Sequence, residues 1–151
     1  MGLTSDQPRT GLPSQTCFEV ATCGIGFYPL TDRVTAWVAG QKAATGLLTL
    51  FLRHTSASLI IQENADPDVQ HDLLTYLDRL APPATDPSMS WMRHTLEGPD
   101  DMPAHIKSAL LPVSLSIPVC DGKLVLGTWQ GIFLLEHRRA PHRRHVVLHL
   151  S

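Results

Sequence analysis

Two largely apolar runs, Gly46 to Leu52 and Ala57 to Gln62, stand on either side of the polar residues Arg53-His54-Thr55-Ser56. Runs of this length are strand-sized, and neither shows the polar face that a surface helix would need, so two buried strands joined by a polar corner are expected. The corner is then the place where polar side chains meet the edge of a core. From Gln15 to Cys23 the side chains alternate as in a strand, which Gly24 and Gly26 end. Thr31 is expected to cap a helix with Val34, Trp37 and Val38 on one face, ending near Gly40. Asp66-Pro67 is the strongest helix start, with Val69, Leu73, Leu77 and Leu80 on one face and Pro82-Pro83 as the stop.

Residues 81–90 read as a loop. Asp101 is expected to cap a further helix that carries Pro103 in its first turn and His105 soon after. Three strands follow, Val113 to Val119, Trp129 to His137 and His145 to Leu150, with a turn at Asp121-Gly122. Trp129 is expected in the core and Gln130 beside it needs a polar partner. Strands and helices do not alternate strictly, so an α+β domain with mainly antiparallel sheet and two to three helices is favoured over a doubly wound sheet.

The 151 residues suit one domain that needs no disulfide or structural metal to bury a core. Residues 1–14 mix Gly, Pro, Ser and Thr without periodicity and are expected to form a flexible arm, leaving 15–151 as the single domain. A net charge of −2 argues against a general nucleic-acid binder. No stretch approaches the roughly 20 apolar residues of a membrane span, and the N-terminus lacks the order of a secretory signal, so no membrane contact and a cytoplasmic location are expected. Cys17, Cys23 and Cys120 have neither disulfide nor zinc-site spacing and are expected as reduced, mostly buried thiols. His137 to His145 forms a cationic run suited to phosphate or to a solvated turn.

Between Arg93 and His105 the chain brackets Glu97, Asp100 and Asp101 between His94 and His105 in a segment with little apolar content. Like charges crowded together need a positive partner, whether an arginine, a metal or a substrate cation. His54, His94 and His105 all fall at element ends beside small or hydroxylic residues, and three imidazoles with an open position form a common catalytic-metal arrangement. Their spacing carries no local signature, and each imidazole could equally satisfy a local hydrogen bond. His71 is expected on the solvated side of its helix, and His149 at an exposed strand edge. Arg53, Ser56 and Ser58 can donate to phosphate oxygens, with strand-corner hydrogen bonding as the alternative for the serines. Glu136 can join the carboxylates or pair with Arg138. Phosphate-binding glycine loops and a Gly-x-Ser-x-Gly elbow are absent.

The segments Arg53-His-Thr-Ser-Ala-Ser58, Glu63-Asn-Ala-Asp66, Glu97-Gly-Pro-Asp-Asp-Met-Pro-Ala-His105, Ser114 to Gly122 and Gly127-Thr-Trp-Gln130 together resemble the YjbQ-like family of small conserved proteins. Some members of that family are regarded as secondary thiamine-phosphate synthases. The resemblance runs from about Gln15 to the C-terminus and implies an α+β fold containing a β-sandwich, assembled as a homotrimer. It also implies a polar pocket holding His54, His94 and His105, which supports a divalent metal there; the imidazole donors themselves favour zinc, with magnesium an option for a diphosphate substrate. The family often carries Asp-Asp-Asn-Ala-His-Ala-His where this chain has Asp-Asp-Met-Pro-Ala-His, which leaves His105 alone to supply a ligand from that motif.

The expected function is condensation of an aminopyrimidine diphosphate with a thiazole phosphate, releasing pyrophosphate. Arg53, Glu97, Asp100 and Asp101 would be its catalytic residues, and Ser56, Ser58, Asn64, Gln130 and Arg138 would bind the small phosphorylated substrate. A tri-histidine site prefers zinc, whereas diphosphate chemistry usually uses magnesium on carboxylates. That tension favours a second reading, a metal-dependent hydrolase of a small ester or phosphoester with Glu97 or Asp100 as general base. A third is a trimeric protein that binds metal or a small ligand without turnover, its carboxylates only orienting the imidazoles.

Overall fold

The polar corner after Leu52 carries the chain from one antiparallel sheet to another. The computed structural model describes residues 13–151. The expected arm therefore lies outside the described residues except for Pro13 and Ser14, and Ser14 already opens the first strand. In chain order the strands are β1 (Ser14–Thr22), β2 (Gly26–Pro29), β3 (Thr45–Leu52), β4 (Ala57–Glu63), β5 (Ser114–Cys120), β6 (Lys123–Leu124), β7 (Gln130–Glu136) and β8 (His142–Leu150). The helices are α1 (Thr31–Gln41), α2 (Pro67–Leu80) and α3 (Asp101–Leu110), with a short 3-10 turn at Pro87–Met89 inside the expected loop. One sheet has the order β1-β8-β3-β5-β6 and the other β2-β7-β4, and every pairing is antiparallel. The mainly antiparallel α+β class expected from the sequence is the class observed.

The two apolar runs thus become β3 and β4, in different sheets. Leu48, Leu50 and Leu52 of β3 meet Leu59 of β4, Ile132 and Leu134 of β7, and Leu148 of β8 in one buried cluster, closed on one side by Val34 and Val38 of α1. Each such side chain contributes about 1.5–3 kcal/mol by leaving water, which makes the cluster the main source of fold stability. Asp66 caps α2 as expected, accepting from the Asp68 N–H at 2.9 Å with Pro67 at the first position. Asp121 and Gly122 take positive φ values of 48° and 73°, the geometry that a two-residue hairpin turn between β5 and β6 requires.

Several local expectations are corrected. Thr31 is the first helical residue and not the cap; its Oγ1 is used by the Ile132 N–H at 2.9 Å, tying α1 to β7. That helix ends at left-handed Lys42, with Gly40 inside it. All three cysteines are exposed, because Cys17 and Cys120 fall on the outward-facing positions of their strands and Cys23 follows a strand end. His149 is not on an edge, since β8 runs between β1 and β3. Trp129 is 63% exposed, outside the core, and Gln130 finds its partner in the Gly127 N–H at 2.8 Å. Tyr28 lies on the short strand β2, which the two glycines had hidden. His71 is solvent-exposed, as expected. No helix among the described residues is long and apolar enough to cross a membrane.

A candidate metal centre beside an apolar cleft

Asp101 and His105 are one turn apart on α3, so their side chains share a helix face. The loop before the helix brings His94 to the same point. His94 Nε2 lies 2.6 Å and His105 Nε2 3.2 Å from Asp101 Oδ2. One donor atom from each of these residues lies within 4.8 Å of the others. Asp101 is almost fully buried, while His94 and His105 are partly open to solvent. The sequence expectation that Asp101 caps α3 is corrected: Asp100 holds the cap position, neither side chain caps, and the Asp101 carboxylate turns inward to the imidazoles.

The other faces of these groups are also fixed. His105 Nδ1 lies 2.9 Å from the Thr55 carbonyl, which can only accept, so Nδ1 carries a proton and Nε2 is the nitrogen turned to Asp101. Arg138 Nη1 donates to Asp101 Oδ1, leaving Oδ2 to the imidazole pair. The same guanidinium donates from Nε to Asp100 Oδ2 at 3.1 Å and from Nη2 to the Glu97 carbonyl at 3.1 Å, and the Arg139 N–H donates to Asp100 Oδ2 at 2.8 Å. Burial works against ionisation of Asp101, but the bond to His94 and the charges of Arg138 and His105 outweigh it and hold its carboxyl below the usual range. Asp100 is likewise held down, its burial overcome by the Arg139 N–H and Arg138. The positive partner demanded by the crowded carboxylates is in first place an arginine of the chain itself.

Two imidazole nitrogens and one carboxylate oxygen converging, with the second atoms of His105 and Asp101 already engaged, form a donor set that fits a divalent transition ion. His54 is not in that group. Its Nε2 accepts from the His145 N–H at 2.8 Å and its ring stacks on His145, with centroids 5.8 Å apart. Of the expected set His54, His94 and His105, the structure brings His94 and His105 together with Asp101 and leaves His54 outside that group, its Nε2 engaged by the backbone of β8. Burial, helped by the charges of Arg144 and His145, holds His54 below the ordinary imidazole range. His54 instead lines a cleft of about 570 Å³ together with His105, Arg53, Phe51, Leu52 and Val113.

Of the other expected residues, Glu97 stands exposed at the rim with Oε2 4.0 Å from His94 Nε2, and Arg53 is exposed on the cleft. Ser56 and Ser58 are buried and engaged internally, so they are not free for substrate: Ser56 Oγ accepts from Arg144 Nη2 at 2.9 Å, and Ser58 Oγ is 2.8 Å from His137 Nε2. Arg138 is spent on Asp100 and Asp101. Asn64 and Gln130 flank the far end of the β4/β7 pair, where Glu63 faces Gln130, while Ala57 and Glu136 pair at the near end. That separation of six strand residues is roughly 20 Å, so neither joins the centre within one chain.

The cationic run is not a solvated turn throughout, since His137 and Arg144 are buried. Arg144 Nε donates to Glu136 Oε2 at 2.8 Å, and Thr22 Oγ1 donates to the same oxygen at 2.7 Å. Burial opposes the charge on Glu136, yet Arg144, Thr22 and the Arg138 N–H keep its carboxyl below the usual range. Glu136 joins neither the carboxylates nor the Arg138 guanidinium. Sequence reasoning missed the Thr55 carbonyl and the direct role of Asp101 beside His105. The four-residue spacing of Asp101 and His105 on an expected helix was the available signal.

Comparison with known proteins supports the same architecture. Residues 17–151 match the family described as UPF0047 protein YjbQ-like. A UPF0047 protein of Synechocystis is 50% identical over 137 residues, covering 91% of this chain and 90% of that protein. The UPF0047 protein YjbQ of Salmonella typhimurium is 49% identical over 127 residues, covering 83% of this chain and 88% of that one. A solved structure of an uncharacterized conserved YjbQ/UPF0047 protein from Clostridium acetobutylicum superposes with a TM-score of 0.79 at 34% identity, covering 90% of this chain and 99% of its own. A conserved hypothetical protein from Thermus thermophilus gives 0.74 at 41% identity, covering 87% and 97%. With nearly the whole described chain accounted for in sequence and in fold, this protein belongs to the YjbQ-like UPF0047 family.

Proposed function

We propose that the protein is a metal-dependent hydrolase of a small ester or phosphoester, with His94, Asp101 and His105 holding one divalent transition ion. The observation that carries this reading is the convergence of three donor atoms within 4.8 Å at a cleft large enough for a small molecule. Nitrogen-rich donors favour zinc or another borderline ion over magnesium. Such an ion, when bound, supplies Lewis acidity and brings the pKa of water toward neutrality.

The chain's own residues then have separable tasks. The Thr55 carbonyl holds the His105 tautomer, and Arg138 holds Asp101 in the orientation that serves both imidazoles. Glu97, exposed and within 4.0 Å of His94 Nε2, is the carboxylate placed to take a proton. Asp100 is bound by Arg138 and the Arg139 N–H and acts as a support. The two sheets around one buried cluster are read as the β-sandwich of the family. The homotrimer is kept as part of the proposal, supported by an exposed apolar patch of Leu47 on β3, Pro118 on β5 and Val125 just after β6.

A thiamine-phosphate synthase activity is the second reading, favoured by the family resemblance and by Arg53 on the cleft. Against it, Arg138 and Arg144 are bonded to internal carboxylates and are not free to meet a leaving pyrophosphate. The deciding experiment uses protein purified without a histidine tag and reloaded with zinc. It is assayed against nitrophenyl esters and phosphoesters and, in parallel, for thiamine phosphate formation from the two precursors. Hydrolysis that falls at least a hundredfold in Glu97→Gln is the expected result. Condensation without hydrolysis would favour the synthase, and loss of both with zinc retained would favour a binding protein.

A further inference from the structure

The cleft beside His105 is chemically one-sided. Phe51, Leu52 and Val113 give it apolar walls. Two of its polar groups are already used, because the Thr55 carbonyl accepts from His105 Nδ1 and the Ser108 hydroxyl donates to the Ala57 carbonyl at 3.1 Å. The side chains of Arg53, His54 and Thr55 remain. The Arg53 backbone N–H is anchored on the His145 carbonyl at 3.2 Å, while its guanidinium has no ion pair or hydrogen bond among the described residues. His54 accepts at Nε2 from the His145 N–H, so the neutral ring carries its proton on Nδ1, and stacking on His145 fixes the ring plane.

The free side-chain groups of the cleft can therefore all donate, the Arg53 guanidinium permanently charged, His54 through Nδ1 and Thr55 through its hydroxyl, above an apolar wall. A volume of about 570 Å³ suits a ring-sized body. We infer that this cleft binds a small organic anion, its apolar body against Phe51, Leu52 and Val113 and its single anionic head, a carboxylate or a monophosphate, on Arg53 and His54. A guanidinium matches either head through paired N–H donors. One guanidinium and one neutral imidazole are a sparse set for a diphosphate. The inference deepens the metal-centre reading, on which it rests only in that His105 is the wall shared by cleft and centre.

The test is calorimetric titration of the full-length, zinc-loaded protein with benzylphosphonate and with phenylacetate, neither of which can be hydrolysed. Benzyl alcohol keeps the body without the charge, and methylphosphonate keeps a head without the body. Binding of either aromatic anion at least tenfold more tightly than both controls supports the inference, and the tighter of the two identifies the head. Arg53→Gln is expected to weaken that binding tenfold or more and His54→Phe several-fold, with zinc content unchanged in both variants. Benzyl alcohol binding as well as the anions, or anion binding indifferent to Arg53→Gln, overturns it. So does absence of binding in folded, zinc-loaded protein, including the case in which light scattering of the two variants shows that a second copy of the chain fills the cleft. Probe binding that persists in protein unable to hold zinc supports this inference and removes the metal reading alone.

Discussion

His105 Nε2 lies 3.2 Å from Asp101 Oδ2 across one turn of α3, and the two groups are held from behind by different parts of the chain, His105 by the Thr55 carbonyl and Asp101 by Arg138. This double backing distinguishes a prepared donor pair from two polar residues that happen to meet on a helix. Both groups are oriented by the fold itself, so a ligand that used them would not have to order them.

Metal content should follow the geometry. His94→Ala and His105→Ala are each expected to lower zinc affinity at least a hundredfold, whereas His54→Ala retains close to one ion per chain. Elemental analysis of untagged, gel-filtered protein measures this directly. Zinc lost from His54→Ala as completely as from His105→Ala would return His54 to the ligand set.

Arg138 is expected to act on metal and fold together. Arg138→Met leaves Asp101, a nearly buried carboxylate, without its charged partner, and Asp100 loses a bond as well. Breaking a buried ion pair from one side costs about 3–5 kcal/mol. The guanidinium retains some exposure and the imidazoles remain beside Asp101, so about 2 kcal/mol is expected here by urea titration of the metal-free protein. Zinc affinity should fall about tenfold, because Asp101 is no longer held with Oδ2 toward the imidazoles. An unchanged midpoint in urea would mean that the pair contributes nothing to the fold.

What the sequence disclosed and what it hid have physical reasons. Apolar runs and caps are local signals, so β3, β4 and α2 were visible close to their observed limits, and the segment around Glu97 and His105 stood out because its charges had no packing reason to be there. Partnerships across the chain leave no such local mark. The bonds of Arg144 to Glu136 and of Ser58 to His137 depend on how the two sheets meet. His54 lies outside the candidate donor group, its Nε2 taken by a backbone N–H of β8, a donor that every residue there except proline would offer, so no side chain announced it. The cysteines were misplaced because strand alternation says which residues share a face without saying which face is buried.

Self-association should depend on the outer face of the five-stranded sheet. Leu47 is 43% exposed, pairs across strands with Pro118, and Pro118 in turn accepts from the Val125 N–H, so the three form a contiguous apolar patch. Light scattering of the wild type is expected to give three times the chain mass of 16.6 kDa. Leu47→Asp should shift the population toward the single-chain mass while circular dichroism stays unchanged, because the side chain points away from the core. A wild type that runs as a single chain would remove the trimer.

Acid sensitivity should begin at His137. This imidazole is buried, and burial first, then the nearby Lys107 and Arg144 charges, push its pKa down to about 4 despite Glu136. Its Nε2 lies 2.8 Å from the Ser58 hydroxyl, which can donate to the neutral ring and would have to turn to accept from the protonated one. In the unfolded chain the ring titrates near 6.5, so between pH 6.5 and 4 the unfolded state takes up the proton first and stability falls as pH falls. A depression of this size corresponds to about 3 kcal/mol by pH 4, at roughly 1.4 kcal/mol per unit. Glu136, Asp100 and Asp101, whose pKa values are lowered, begin to lose their contributions as pH falls past their ordinary values of 4.5 and 3.8 and lose them fully only below the lowered ones, so the decline above about pH 5 belongs to the imidazole and the carboxylates add to it nearer pH 4. Urea midpoints of the metal-free protein between pH 7 and 4 are expected to decline steadily. The double variant Ser58→Ala/His137→Phe, which removes the titrating ring without leaving a buried hydroxyl unpaired, should flatten that decline by about half or more. An equal slope in wild type and double variant would place the acid-sensitive group elsewhere.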